Sequence, residues 1–156
     1  AKSPVANGGQ EPITVAPTPA TGADIATPHG MGALTRAVLD RRIGDWHRFN
    51  NRKQVGSFIG ACPGEYSSGG VQQQGGKIDR RGDPHLRALM TELVWRLRKF
   101  QPEWRGFVKF AAILGPESKA GRPARKKAIT ACVRLLFIDL WRLFTGQLQA
   151  SEIGLN

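Results

Sequence analysis

The segment EYSSGGVQQQGGKIDRRGDPHLR, Glu65 to Arg87, gathers the side chains best suited to chemistry in this 156-residue sequence. Ser67 and Ser68 stand directly before Gly69 and Gly70. A hydroxyl nucleophile for phosphoryl transfer must be reachable by a bulky polyanion, and glycines let a backbone approach without side-chain obstruction. Ser68, next to the glycines, meets that requirement. Serine is a weak nucleophile at its ordinary pKa, so it also needs a base or a metal, and cations on the phosphate oxygens. Lys77, Arg80 and Arg81 are cations close by in the chain. The same residue types suit a polar turn in which the serines only bond locally, and residue type alone favours that plainer reading.

Other motifs carry less. Arg81-Gly82-Asp83 is the tripeptide of adhesion ligands, but Asp83 directly before Pro84 is better used as a helix cap, and Gly82 as a tight turn. Gly30 and Gly32 flank Met31 in the manner of a helix-hairpin-helix turn, whose backbone amides grip a DNA phosphate, although Pro- and Thr-rich sequence replaces the helix that should precede it. His29, His47 and His85 share no metal-ligand spacing, and Asp40, Asp45, Asp79 and Asp83 form no two-metal pattern, so no metal site is expected. Cys62 and Cys132 are far apart and read as packing residues.

Charge points to the partner. There are 23 Lys and Arg against 12 Asp and Glu, a net charge of +11. Such a surface attracts phosphate backbones through counterion release, which is sequence-blind and weakens with salt. Lys119, Arg122, Arg125, Lys126 and Lys127 gather where the last helix begins, and cations there oppose the helix dipole, which suits a phosphate ligand. The sequence has neither a membrane-length apolar run nor a signal-peptide pattern, and a cytoplasmic, nucleoid-associated location is expected.

Helices must position these groups. Residues 1–28, rich in Pro, Gly, Ala and Thr, read as a disordered linker or a remnant of a longer chain, and residues 29–150 as one domain. A first helix ends at Gly44, with Leu34, Ala37, Val38 and the stem of Arg41 on one face. A second carries Val55, Phe58 and Ile59 and stops at Cys62-Pro63-Gly64. A third starts at Pro84 with Leu86, Leu89, Met90, Leu93, Val94 and Leu97 as its face. A fourth places Trp104, Phe107, Val108 and Ala111 on one stripe and ends near Gly115-Pro116. The last runs from about Pro123 to Thr145, with Ile129, Val133, Leu136, Leu140 and Leu143 at helical spacing. Trp95, Trp104, Trp141, Phe107 and Phe137 are expected in the core, with Trp46 left open. No segment alternates strongly enough to demand a strand. The predicted class is all-α: a small helical domain with a Ser/Gly-rich active-site loop between helices.

The order of these features resembles the C-terminal domain of the DEDD-type insertion-sequence transposases, the bridge-RNA-guided recombinases. The resemblance runs from about Gly30 to Gly146 and is most specific between Ile43 and Leu86. Gly44-Asp45, Phe49, Phe58, Gly60, Pro63, Tyr66, Ser68-Gly69, Arg81-Gly82-Asp83 and Leu86-Arg87 match in order. The resemblance implies that Ser68, with Ser67 as runner-up, is the nucleophile that forms a phosphoserine link to DNA. It implies a guide RNA as partner, and a separate N-terminal RuvC-like domain whose acidic residues hold Mg²⁺ and complete the active site. This chain would then bind no cofactor itself and be inactive alone. Gln72-Gln73-Gln74 stands where the family usually has basic residues, and Asp79 where it has a small hydroxyl residue. Lys77, Arg80, Arg81, Arg87, Arg122, Lys126 and Lys127, with Gly30 and Gly32, are the expected nucleic-acid contacts. Homo-oligomerisation through the apolar face of the last helix is also expected. The alternative is a non-catalytic helical nucleic-acid-binding or interaction module whose Ser-Gly loop is only a connector.

Overall fold

The structure, a computed structural model, describes residues 25–63, 78–79 and 82–156. Its described elements are helices α1 (Ala33–Ile43), α2 (Arg52–Ile59), α3 (Pro84–Phe100), α4 (Arg105–Lys109), α5 (Ala111–Leu114) and α6 (Arg122–Phe144), with short 3₁₀ turns at Trp46–Arg48 and Ala150–Ile153. The class is all-α, as the sequence predicts. The one addition is a pair of two-residue strands, β1 (Cys62–Pro63) and β2 (Ile78–Asp79), joined antiparallel. No described helix is long and apolar enough to cross a membrane.

The 23-residue helix α6 is the centre, with α2, α3, α4 and α5 packed against it. Its stripe Ile129, Val133, Leu136, Leu140 and Leu143 is buried, and so are Phe137 and Phe144. Side chains of that size contribute about 2 kcal/mol each on leaving water. Trp46 closes the same cluster, 5.7 Å from the Phe137 ring and 5.0 Å from that of Phe144. The α6 face assigned to oligomerisation is therefore filled by this chain's own core.

Helix α3 begins as predicted. Pro84 takes the first turn, and the Asp83 carboxylate accepts from the backbone amides of His85 (2.9 Å) and Leu86 (3.1 Å). Helix α2 is capped by Asn51, which accepts from the Gln54 amide at 3.0 Å, and it ends at Gly60 rather than at Cys62-Pro63.

Three expectations need correcting. The buried face of α1 is Thr35, Arg36, Leu39 and Ile43, while Leu34 is 79% exposed. Arg36 causes the rotation: its guanidinium lies 3.7 Å from the centre of the Phe144 ring, and its Nε donates to Asp40 at 2.8 Å. A stacked, paired arginine buries as well as an aliphatic side chain does, which apolar periodicity does not register. The predicted fourth helix is two, broken at Phe110, and Val108 and Ala111 face solvent. Trp104 folds over Gly106, where a Cβ would strike its ring, and its Nε1 donates to Asp139 at 2.9 Å. That pins α4 to α6, and α5, which buries Leu114, packs on α6 after the break. Trp95 is half-exposed, because the packed stripe of α3 is Leu86, Met90, Leu93, Val94 and Leu97.

Gln101, unremarked in the sequence, is buried where three segments meet. Its amide nitrogen donates to the carbonyls of His29 and Asn156, each at 3.0 Å, and its oxygen accepts from the Asn156 amide. Packing begins by Ile25, whose carbonyl accepts from Arg36, and continues to Ile153 and Leu155, both buried.

Candidate nucleic-acid interface

Ser67, Ser68, Lys77, Arg80 and Arg81 lie outside the described residues. The two ends of their segment do not. The chain reaches Pro63 in β1 and returns at Ile78 in β2, with Cys62 opposite Asp79 and Pro63 opposite Ile78. Beneath this pair, Gly60 and Gly82 meet backbone to backbone. Gly60 holds φ at +70°, and a Cβ there would come within 2.6 Å of the Gly82 nitrogen. A Cβ on Gly82 would run into the Gly60 nitrogen and the end of α2. Only glycine on both sides allows that approach. Two bonds seal the junction: the Asp83 amide donates to the Phe58 carbonyl (3.2 Å), and Arg87 Nη1 donates to the Ile59 carbonyl (3.2 Å).

Asp83 ties the junction to α1 as well, because its Oδ2 accepts from Arg42 Nη1 at 2.6 Å. Partial burial pushes its pKa up, but the Leu86 amide, the Arg42 guanidinium and the His85 amide outweigh that and hold it below the ordinary carboxylate value. Asp83 thus serves as the cap that its position before Pro84 predicts. Arg87 contacts the end of α2, so its role in the structure is at least to close this joint.

The other predicted contacts separate. Gly30 has φ +94°, and a Cβ there would sit 3.1 Å from Leu97 Cδ2, so this glycine serves the close approach of the chain to α3. Gly32 is the N-cap of α1 with open space around it. Arg122, Lys126 and Lys127 occupy the first turns of α6, exposed, beyond an N-cap glycine that offers no side-chain bond.

Of these, Lys127 joins a group that sequence reasoning missed. A cleft of about 570 Å³ is lined by six cations, Arg52, Arg105, Lys109, Lys127, Arg134 and Arg142, and among the described residues by no Asp or Glu. Phe110, Leu135 and Ile138 contribute apolar surface to the same walls. Ala61, one residue before β1, also lines it, so the cleft opens beside the point where the Ser-Gly segment departs. The signal in the sequence is the second stripe of α6, with Lys127, Arg134, Ile138 and Arg142 at spacings of seven, four and four.

Arg105 is fixed from behind. The fully buried Asp139 accepts from its Nε at 3.0 Å and also from its Nη2, while taking the Trp104 indole proton on the same carboxylate. The Arg134 Nε is buried and has no acceptor among the described residues. Below Lys109, burial pushes the Cys132 thiol up to about 11, against a smaller downward pull from Lys109 itself. Among the described residues no three His, Cys, Asp or Glu stand close enough to hold a metal ion. They do not fit the Mg²⁺ that the resemblance assigns to a separate acidic domain.

The family described as Transposase IS116/IS110/IS902 matches residues 23–109, more than half of the chain. The chain belongs to this transposase family. The match takes in α1 to α4, the Ser-Gly segment and both of its roots, while α6 lies beyond it. The candidate transposase y4rJ of Sinorhizobium fredii (strain NBRC 101917 / NGR234) is 30% identical over 113 residues, 72% of this chain and 28% of that protein. The transposase for insertion sequence element IS1111A of Coxiella burnetii is 38% identical over 61 residues, 39% of this chain and 16% of that one. The transposase for IS1328 of Yersinia enterocolitica is 33% identical over 63 residues, 40% and 19% of the two chains. This transposase-family chain spans less than a third of the length of these curated relatives. No solved structure matches it.

Proposed function

We propose that this chain acts in DNA transposition as the part of a transposase that offers a serine nucleophile for strand cleavage and exchange. The observation that carries the reading is that the family match contains the whole Ser-Gly segment, with its two ends held together on α2 and α3. A nucleophile must be held while it attacks, and a glycine-rich segment rooted on packed helices combines access with a fixed base.

The Ser68 hydroxyl attacks a DNA phosphorus. The Oγ–P bond forms as the bond to the departing strand's oxygen breaks, the serine gives up its proton, and the leaving oxygen takes one up. Lys77, Arg80 and Arg81 neutralise the phosphate oxygens as charge builds. Arg87, Arg122, Lys126, Lys127 and the amides near Gly30 and Gly32 contribute to the hold on nucleic acid. Activation falls, as the family resemblance implies, to a separate RuvC-like domain that carries Mg²⁺, with a guide RNA selecting the DNA. Alone, the chain binds nucleic acid without exchanging strands.

The test reconstitutes the chain with the acidic domain, guide RNA and target DNA and looks for a protein–DNA adduct resistant to denaturant. Ser68→Ala removes the adduct and Ser67→Ala keeps it. The opposite pattern moves the nucleophile by one residue, and an adduct that survives both changes refutes a serine mechanism in this segment.

A further inference from the structure

We infer that the cleft between α2, α4 and α6 is a binding site for a single strand of nucleic acid, its phosphates on the cationic wall and a base on the apolar wall. The inference deepens the transposase reading and rests on it for the class of ligand, but not on the identity of the nucleophile.

Three features of the cleft point to this ligand. First, the described lining holds six cations and no carboxylate, and with Arg105 paired to Asp139 behind the wall the remaining charge still exceeds what one small anion can neutralise and suits a run of phosphates. Four of the six are arginines, whose planar forks bond two phosphate oxygens at once. Second, the wall is prepared. The Asp139 carboxylate holds Arg105 through Nε and Nη2, a two-point contact that fixes the guanidinium plane at the wall. Arg134 stands on the same wall, one helical turn before Ile138 and two before Arg142.

Third, the shape favours one strand over two. The cleft is concave, and its 570 Å³ falls within the roughly 300–1,000 Å³ that enclose a ligand of small-molecule size, a scale that a nucleotide fits. A duplex presents its phosphates on a convex surface with the bases stacked inside, so it cannot place a base against Phe110, Leu135 and Ile138. A single strand can do so while its backbone follows the cations. An acidic peptide would use the cations but leave the flat apolar wall without a matching face. The position adds a role: Ala61 lines the cleft just before β1, so a strand held here passes the point where the chain enters the Ser-Gly segment.

The experiment is fluorescence anisotropy on the full chain, with labelled oligo(dT), oligo(rU) and a random-sequence DNA duplex, over a range of salt. The site predicts tighter binding of at least one single strand than of the duplex, and the preferred one of the two tells whether the cleft serves DNA or RNA. Lys109→Gln and Lys127→Gln, both at exposed positions, should each lower the salt slope by about 0.7 for the single strand. Phe110→Ala should weaken single-strand binding roughly fivefold or more with little effect on the duplex. Arg41→Gln, an exposed cation on α1 outside the cleft, is the comparison and should change little. Equal or tighter duplex binding overturns the inference. So does an Arg41→Gln effect as large as that of Lys109→Gln, or displacement of the strand by polyglutamate at equal charge. None of these outcomes bears on whether Ser68→Ala abolishes the adduct, so the two claims fail separately.

Discussion

Asp83 shows how one side chain can carry both a helix start and a junction between elements. It caps α3, pairs with Arg42 and adjoins the Gly60–Gly82 contact from which the Ser-Gly segment springs. Asp83→Ala should cost about 1 kcal/mol of stability, the usual worth of an N-cap, with a further fraction from the exposed ion pair. Urea denaturation at neutral pH measures it. Because the folded Asp83 has a lowered pKa, its contribution is complete above the pKa of the unfolded carboxyl and fades as pH falls through the folded value. The gap between native protein and Asp83→Asn should therefore narrow in acid; a gap that stays constant would separate the cap from its charge. Cys132 supplies a second prediction at this scale. Its thiol, buried and raised to about 11, stays protonated at ordinary pH and should resist alkylation in the folded chain, becoming reactive only on denaturation. Peptide mapping after iodoacetamide treatment reads this directly.

At the scale of elements, the glycine pair makes the sharpest prediction. Gly82→Ala places a methyl group against the backbone of α2, so the ends of the Ser-Gly segment must part. Adduct formation should fall far more than nucleic-acid binding does, which the reconstituted assay and anisotropy measure on the same protein. Helix α6 shows what could be read in the sequence and what could not. Its apolar stripe at Ile129, Val133, Leu136, Leu140 and Leu143 was legible because those positions are apolar at helical spacing, and the start of α3 was legible because Asp83-Pro84 is a local signal. Asp139 was not. A carboxylate in an apolar run acquires meaning only when Trp104 and Arg105 arrive from α4. Removing its charge with Asp139→Asn should destabilise the fold by about 2 kcal/mol, since Arg105 loses its counter-charge and one of the two accepting oxygens becomes a donating amide that faces an N–H. The buried face of α1 was misread for a related reason, because Arg36 packs through its stem and the Phe144 ring. The cationic cleft escaped notice because its cations come from three helices, Arg52 from α2, Arg105 and Lys109 from α4, and Lys127, Arg134 and Arg142 from α6.

The whole molecule combines a helical body organised around α6, a cationic cleft on one side of that helix, and a Ser-Gly segment rooted beside the cleft. A net charge of +11 lets such a body bind any polyanion weakly, so binding alone says little about function. What distinguishes a strand-exchanging transposase from a binding module is a covalent bond at one atom. The most direct measurement is mass spectrometry of the protease-digested adduct, formed with the acidic domain, guide RNA and target DNA and then treated with nuclease. A serine nucleophile predicts a nucleotide-phosphate remnant on the peptide spanning Ser67 and Ser68, localised to the Ser68 hydroxyl and missing from Ser68→Ala. A remnant on any other residue, or strand exchange at an undiminished rate by Ser68→Ala, would contradict it.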